Sequence, residues 1–212
     1  MSFVGTYAAY ARTVLVERPW QEFGLPTRGR VSDIGNGPGW SVQSLRTLGL
    51  DVIGLDLVPV SPETICGNAT RLPFRDSSLD GVLCLRTLHH IEADQQALAE
   101  FYRVLRPKGF VLLAVANRMS YTLIAGRCLL SLRVPNPNDR HYHTYTPTSI
   151  RRRLRSSGFM SIRVRACHYL PRFLGSLAGI AETFAAADLR LGTNRLTSLF
   201  GPLLLATGRK QA

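Results

Sequence analysis

Residues 30 to 40 read Arg-Val-Ser-Asp-Ile-Gly-Asn-Gly-Pro-Gly-Trp, and this stretch limits the fold more than any other. Val31, Asp33 and Ile34 end a short buried strand. Gly35, Gly37 and Gly39 follow as a turn without side chains. Val42, Leu45 and Leu48 then recur at helical spacing. A strand feeding a helix through three glycines makes a cradle. Glycine reaches positive φ and lets a ligand lie against the main chain, and the helix N-terminus turns unpaired N–H groups toward it. Taken alone, the stretch also fits a tight loop that holds nothing.

The spacing narrows the ligand. Asp-x-Gly-x-Gly-x-Gly differs from the dinucleotide fingerprint G-x-G-x-x-G, and Trp40 stands where the last glycine of that fingerprint belongs. A carboxylate at position 33 repels a pyrophosphate. It suits a ligand with an ammonium group and no phosphates, such as S-adenosylmethionine.

The 212 residues, 45% hydrophobic and 19% charged, fit one globular domain. Its expected parts are an N-terminal helix and linker (1–29), a cofactor-binding half (30–117), a substrate lid (118–146) and a C-terminal half (147–212). Cys66, Cys84, Cys128 and Cys167 are scattered without a CxxC pair, which reads as free thiols in a reducing compartment. Tyr7, Tyr10, Arg12 and Glu17 interrupt the apolar residues at the start, so no signal peptide is expected. No apolar run reaches the length of a membrane span, and a cytoplasmic protein is expected.

The net charge of +12 is lopsided. Counted along the sequence, residues 1–106 sum to −1 and residues 107–212 to +13. A basic half of this kind suits an anionic partner: a phospholipid surface, a phosphorylated or carboxylate substrate, or RNA. Its bias toward arginine also fits simple genome base composition.

Along the chain, 4–18 reads as an amphipathic helix stopped by Pro19. Strands are expected at 30–35, 51–55, 64–67, 81–85 and 110–116, with helices over 39–48 and 93–105. Pro59 and Pro62 exclude a normal helix after Asp56, so a loop is expected there. Residues 118–146 break the alternation, with an apolar 121–134 and the turn cluster Pro135-Asn136-Pro137-Asn138. Thr146-Pro147 reads as an N-cap with proline at the first helical position, and Gly158 as the stop. An edge strand over 159–167, an apolar helix over 172–187 and a last strand over 198–207 complete an open α/β sheet.

These pieces together resemble the class I S-adenosylmethionine-dependent methyltransferases, in the branch that includes ubiquinone and menaquinone biosynthesis enzymes. The matching residues are Val31 to Gly39, Gly54-Leu55-Asp56, Gly67-Asn68-Ala69, Leu72-Pro73-Phe74, Ser78 to Val82, His89-His90-Ile91, Glu100 to Gly109 and Thr146 to Phe159. The resemblance implies a Rossmann-like seven-stranded sheet, mostly parallel with an antiparallel last strand and helices on both faces. It implies that Asp33, Gly35, Gly37 and Gly39 hold the methionine end of the cofactor, and that Asp56, followed by Leu57, takes the ribose hydroxyls. Asn68 stands where the family has Asp and offers its side-chain carbonyl to the adenine. Ala69 offers its N–H there, and Leu85 lines the methionine end. Leu72-Pro73-Phe74 and Glu100 to Gly109 read as structure.

Methyl transfer needs a general base only if the nucleophile must lose a proton. His89 and His90 follow the fourth strand, where acceptor meets cofactor in this fold. One of them is a candidate base; a hydrogen bond within the loop is the alternative for each. His141, His143 and Tyr145 share one face if extended and are candidates for the lid, with Tyr7 and Tyr10 closing the pocket from the N-terminal helix. No metal is expected. The first functional reading is transfer from S-adenosylmethionine to a lipid-, quinone- or glycolipid-like acceptor, with peripheral contact at an anionic membrane. RNA methylation is disfavoured, because no RNA module is present and the basic residues lack interleaved aromatics. A non-catalytic protein that keeps the fold is the third reading.

Overall fold

The computed structural model describes residues 11–120, 142–167 and 200–212. Seven strands form one sheet: β1 (Arg30–Ile34), β2 (Asp51–Asp56), β3 (Thr64–Cys66), β4 (Leu79–Leu85), β5 (Leu105–Ala116), β6 (Met160–Cys167) and β7 (Leu203–Arg209). Their order is β3-β2-β1-β4-β5-β7-β6. Only β7 runs against its neighbours, antiparallel to both β5 and β6, so one reversed strand near the edge agrees with the expected sheet.

The alternation of side chains along the central strands divides the core in two. Val111, Leu113 and Val115 of β5 face one side with Val82 and Cys84. Phe110, Leu112 and Ala114 face the other with Leu83 and Leu85. Each face is closed by helices. On the first lie α3 (Asp94–Val104) and α4 (Pro147–Ser156); on the second lie a π-helical turn (Thr13–Glu17), α1 (Arg18–Glu22) and α2 (Trp40–Thr47). Strands buried on both faces are the reason β5 reads as an unbroken apolar run.

Local chemistry sets the boundaries. At α4, Thr146 Oγ1 accepts from Ser149 N, Ser149 Oγ accepts from Thr146 N, and Pro147 occupies the first turn, as the sequence predicts. The predicted stop at Pro19 is corrected: the helical chain continues through it to Glu22. The π-helical turn puts Pro19 in the first turn of a new segment, where its missing N–H costs nothing. As expected, no helix follows β2. Residues 57–63 are a loop, and Leu57, Val58 and Val60 are exposed there. The 172–187 helix and the apolar 121–134 segment lie outside the described residues. The loop at Leu72-Pro73-Phe74 is held from α3: Glu100 accepts from Leu72 N, while Arg103 donates to Leu72 O and Phe74 O.

The basic C-terminal half spends much of its charge internally. Arg163 donates to Glu22 O and Phe23 O, Arg209 to Gly24 O, and Arg165 pairs with Glu22 at 2.9 Å. These guanidinium groups grip the carbonyl end of α1, where orphan acceptors and the helix dipole favour cations. Arg151 is tied to Ile162 O, Arg153 to Asp94, and Lys210 to the carbonyls of Tyr102 and Leu105. Among the described residues no helix is long and apolar enough to cross a membrane.

Candidate active site

The carboxyl ends of the parallel strands converge on the glycine turn. Gly35 N and Asn36 N both donate to Leu55 O, at 2.7 and 3.3 Å, which bends the chain over the end of β2. Gly35, Gly37 and Gly39 have φ of +74°, +50° and +81°. A Cβ on Gly35 would lie 2.6 Å from Thr87 Cβ, whereas one on Gly37 would meet nothing within 4 Å. Gly35 is therefore packed against the loop after β4, and Gly37 borders open space. No side chain caps α2, so its first N–H groups remain available above the turn.

Asp33 is fully buried at the end of β1, and Ser41 in the first turn of α2 donates to its Oδ2. Its Oδ1 has no hydrogen-bond partner. Burial pushes this carboxyl up to about 6; the Ser41 hydroxyl opposes the shift and the charge of Asp56 adds to it. An orphaned buried carboxylate oxygen is costly, and a cationic N–H donor would satisfy it. The donor set here thus fits an aminoacyl nucleoside with an ammonium group. Asp56 lies across the turn, accepting from Gly37 N at 2.9 Å on Oδ2 and from Val58 N at 3.2 Å on Oδ1. A carboxylate has lone pairs beyond these two, so Asp56 retains capacity for ligand hydroxyls.

The adenine-side residues are placed less favourably. Asn68 Oδ1 already accepts from Thr70 N and Thr70 Oγ1, both at 2.9 Å, in a local turn. The side-chain carbonyl expected to face a base is therefore engaged by its own loop, which leaves the Asn68 amide as the more available group. Leu57 is 66% exposed, Ala69 is buried, and Leu85 is buried at the end of β4.

His89 and His90 form a 3-10 turn after β4, with ring centroids 4.2 Å apart. His89 is 4% exposed and His90 half-buried. His143 is beside them: its N–H donates to His89 O at 3.2 Å, and its Nε2 is 2.8 Å from Glu92 O. Tyr145, expected on a lid, is corrected to a core position. It is 1% exposed, its ring packs in the core, and its hydroxyl donates to Asp94 Oδ2 at 2.7 Å. Burial and the Asp94 carboxylate raise the Tyr145 phenol well above its ordinary range. The bridge of Tyr145 to Asn117 keeps this stretch extended, with the His143 and Tyr145 rings 6.2 Å apart, but lays Tyr145 against the core and not over a pocket. Tyr7, Tyr10 and His141 lie outside the described residues.

Ser41, Thr87 and Asp94 carry roles the sequence reading missed. Thr87 donates to Gly35 O and so locks the turn to β4. Asp94, 2% exposed, takes Tyr145 Oη and, at 2.6 Å, Arg153 Nη1, and ties Tyr145 and α4 to the start of α3. Asp94→Ala strands a buried phenol and a partly buried guanidinium, and is expected to cost about 3 kcal/mol. Tyr145→Phe, which removes one hydrogen bond, is expected to cost about 1 kcal/mol. Urea unfolding midpoints check the pair; equal losses would show that Asp94 does not organise the network. Among the described residues no group of three or more His, Cys, Asp and Glu side chains is placed to hold a metal.

Residues 32–113 match a family model described as a methyltransferase domain. A demethylmenaquinone methyltransferase of Renibacterium salmoninarum is 31% identical over 139 residues, covering 58% of this chain. The chain spans 59% of the length of that relative. A ubiquinone biosynthesis O-methyltransferase of Burkholderia pseudomallei is 26% identical over 162 residues, covering 67% of this chain and 69% of that protein. The crystal structure of a possible histamine N-methyltransferase from Thermotoga maritima superposes with a TM-score of 0.65. It covers 99% of this chain and 97% of its own, at 18% identity, a likeness of fold alone.

Proposed function

We infer, for a chain whose residues 32–113 are a methyltransferase domain and whose sheet is that of the class I S-adenosylmethionine-dependent methyltransferases, that it transfers a methyl group to a small-molecule acceptor. The observation that carries this reading is the buried Asp33 carboxylate, half-satisfied by Ser41, behind a glycine turn that opens toward Asp56. S-adenosylmethionine supplies an electrophilic methyl on a sulfonium, which an acceptor oxygen, nitrogen or carbon displaces in line. Asp33 binds the ammonium group, and the backbone of Gly35 to Gly39 lies along the methionine. Asp56 receives the ribose hydroxyls, with Leu57, Asn68 and Ala69 flanking the base and Leu85 the methionine end.

The chain's own contribution to rate is alignment and exclusion of water. The histidine turn borders the place where the acceptor meets the methyl. His90 is the more exposed of the pair and is the better placed to take a proton from a hydroxyl acceptor. The buried His89 holds His143 through its carbonyl. Both quinone-pathway relatives support a quinone-like, lipid-like acceptor, and the O-methyltransferase among them supports a hydroxyl as the atom methylated. The basic charge left for an anionic surface is smaller than composition suggests, since six of the C-terminal cations are bound to protein carbonyls or carboxylates.

The test is incubation with methyl-labelled S-adenosylmethionine and a fractionated host extract. Label is expected in a small-molecule fraction that partitions into organic solvent. Label in bulk RNA would replace this reading with RNA methylation. Failure to bind S-adenosylmethionine by calorimetry would leave a protein that keeps only the fold. A membrane-borne acceptor further expects sedimentation with anionic vesicles at low salt and release at high salt; no sedimentation at low salt removes the membrane part.

A further inference from the structure

We propose that His143 is a positioning residue for the transfer: it clamps carbonyls on both sides of His90 and so fixes the histidine that takes the acceptor's proton. The proposal rests on the transferase reading above and deepens it. The histidine turn is tied at its start to the cofactor cradle. Thr87 Oγ1 donates to Gly35 O at 3.1 Å, and His90 N donates to Thr87 O at 2.8 Å. The turn ends at Ile91, which is already extended (φ −96°, ψ 117°), so the helical pattern holds the chain no further. His143 takes over at that point. Its N–H donates to His89 O at 3.2 Å, and its ring Nε2 lies 2.8 Å from Glu92 O. One residue thus grips the chain immediately before His90 and two residues after it.

The partner of the ring decides its tautomer. A carbonyl oxygen only accepts, so Nε2 of His143 carries the proton that points at Glu92 O. Asp94 Oδ1, 3.8 Å from the same nitrogen, favours a donor there. Asp94 is itself fixed by Tyr145 Oη and Arg153 Nη1. The backbone that carries His143 is anchored as well. Two residues on, Tyr145 N donates to Ala116 O at 2.9 Å, and Arg118 N donates to Tyr145 O at 2.7 Å, which fastens this stretch to the end of β5. The chain around His90 therefore has two moorings, one on the glycine turn that holds the cofactor and one on β5 through His143. Catalysis by alignment requires the reacting group to be held by supporting bonds of this kind, because small misplacements are costly.

Variants at 143, alone and combined with His90→Ala, test this. His143→Gln keeps an N–H donor at nearly the reach of Nε2, His143→Asn is too short, and His143→Ala has none. The assay follows label from methyl-labelled S-adenosylmethionine into the active organic-soluble fraction of host extract. Rising amounts of that fraction separate kcat from apparent KM. His143→Ala is expected to lower kcat roughly tenfold, with apparent KM and S-adenosylmethionine affinity within about twofold. His143→Gln should recover most of the loss and His143→Asn little of it; His143→Asn replaces His143→Ala in the comparison if the latter fails to fold. His90→Ala alone is expected to cost roughly a hundredfold. In that background His143→Ala should cost less than about twofold more, because no base is left to position. A residue that serves only the fold costs the same in both backgrounds, and that result would overturn the proposal. So would a His143→Gln no better than His143→Ala, a loss confined to KM or cofactor affinity, or a His90→Ala variant with the parent rate. Wild-type protein that binds S-adenosylmethionine but labels no fraction would remove the transferase reading itself, and the proposal with it.

Discussion

Asp33→Asn is expected to stabilise the ligand-free protein while weakening S-adenosylmethionine binding by roughly a hundredfold. Both effects come from one buried carboxyl. Its value near 6 in the fold, against 3.8 for the free side chain, arises chiefly from burial. The folded state therefore binds more protons than the unfolded state between those two values. Stability falls as pH rises through that window, and above it the full cost remains. At 1.36 kcal/mol per pH unit, this is about 3 kcal/mol of destabilisation at neutral pH. An amide removes the charge, keeps an acceptor for Ser41 and avoids most of that cost. The ammonium of the cofactor favours the ionised form, so affinity should rise with pH through about 6 in the wild type. That rise should vanish in Asp33→Asn. A charge-assisted hydrogen bond of about 2–3 kcal/mol sets the expected loss of affinity. Thermal unfolding and calorimetry at pH 5 and 8 check both arms. A variant that is destabilised at pH 8, or that binds normally, would show that Asp33 serves the fold and not the cofactor.

Gly35→Ala is expected to be far more damaging than Gly37→Ala, although the two glycines are two residues apart in one turn. At position 35 the new Cβ meets the Thr87 side chain, and φ is +74°. Left-handed backbone costs about 1–2 kcal/mol, and overpacking about 1–3 kcal/mol more. At position 37 the Cβ enters open space, leaving only the backbone cost of about 1 kcal/mol. The double variant Gly35→Ala with Thr87→Gly, which removes the Cβ as well, should recover the steric part and leave the backbone part. Urea midpoints of the four proteins measure this. Equal losses at 35 and 37 would mean that the turn is not pinned to the loop after β4.

The Asp-x-Gly-x-Gly-x-Gly stretch made the centre of this fold legible, because three glycines between a strand and a helix have few other uses. The proline pair at 59 and 62 likewise announced the missing helix, and Thr146-Pro147 the cap of α4. These features are local, and local chemistry is written in adjacent residues. Tyr145 was misplaced because its role depends on Asp94, 51 residues away, and on a bridge to Asn117. Its alternation with His143 describes an extended chain and not what that chain lies against. The engagement of Asn68 by Thr70 was nearer at hand: an Asn two residues before a Thr readily forms a side-chain turn. Ser41 left a fainter trace, as a small polar residue on the buried side of α2. The continuation through Pro19 was hidden because a π-helical turn has no simple sequence pattern.

The grip of Arg163 and Arg209 on the carbonyl end of α1 joins residues 140 and 185 positions apart. A ribosome delivers α1 long before it delivers β6 and β7. Until then the apolar side of Trp20 and Phe23 has only the early strands to rest on, and the end of α1 stays ungripped. Such distant closures are slow to form and expose sticky surface in the interval. The nascent polypeptide can thus assemble its nucleoside cradle first, and its two ends are latched together only once Arg209 has emerged.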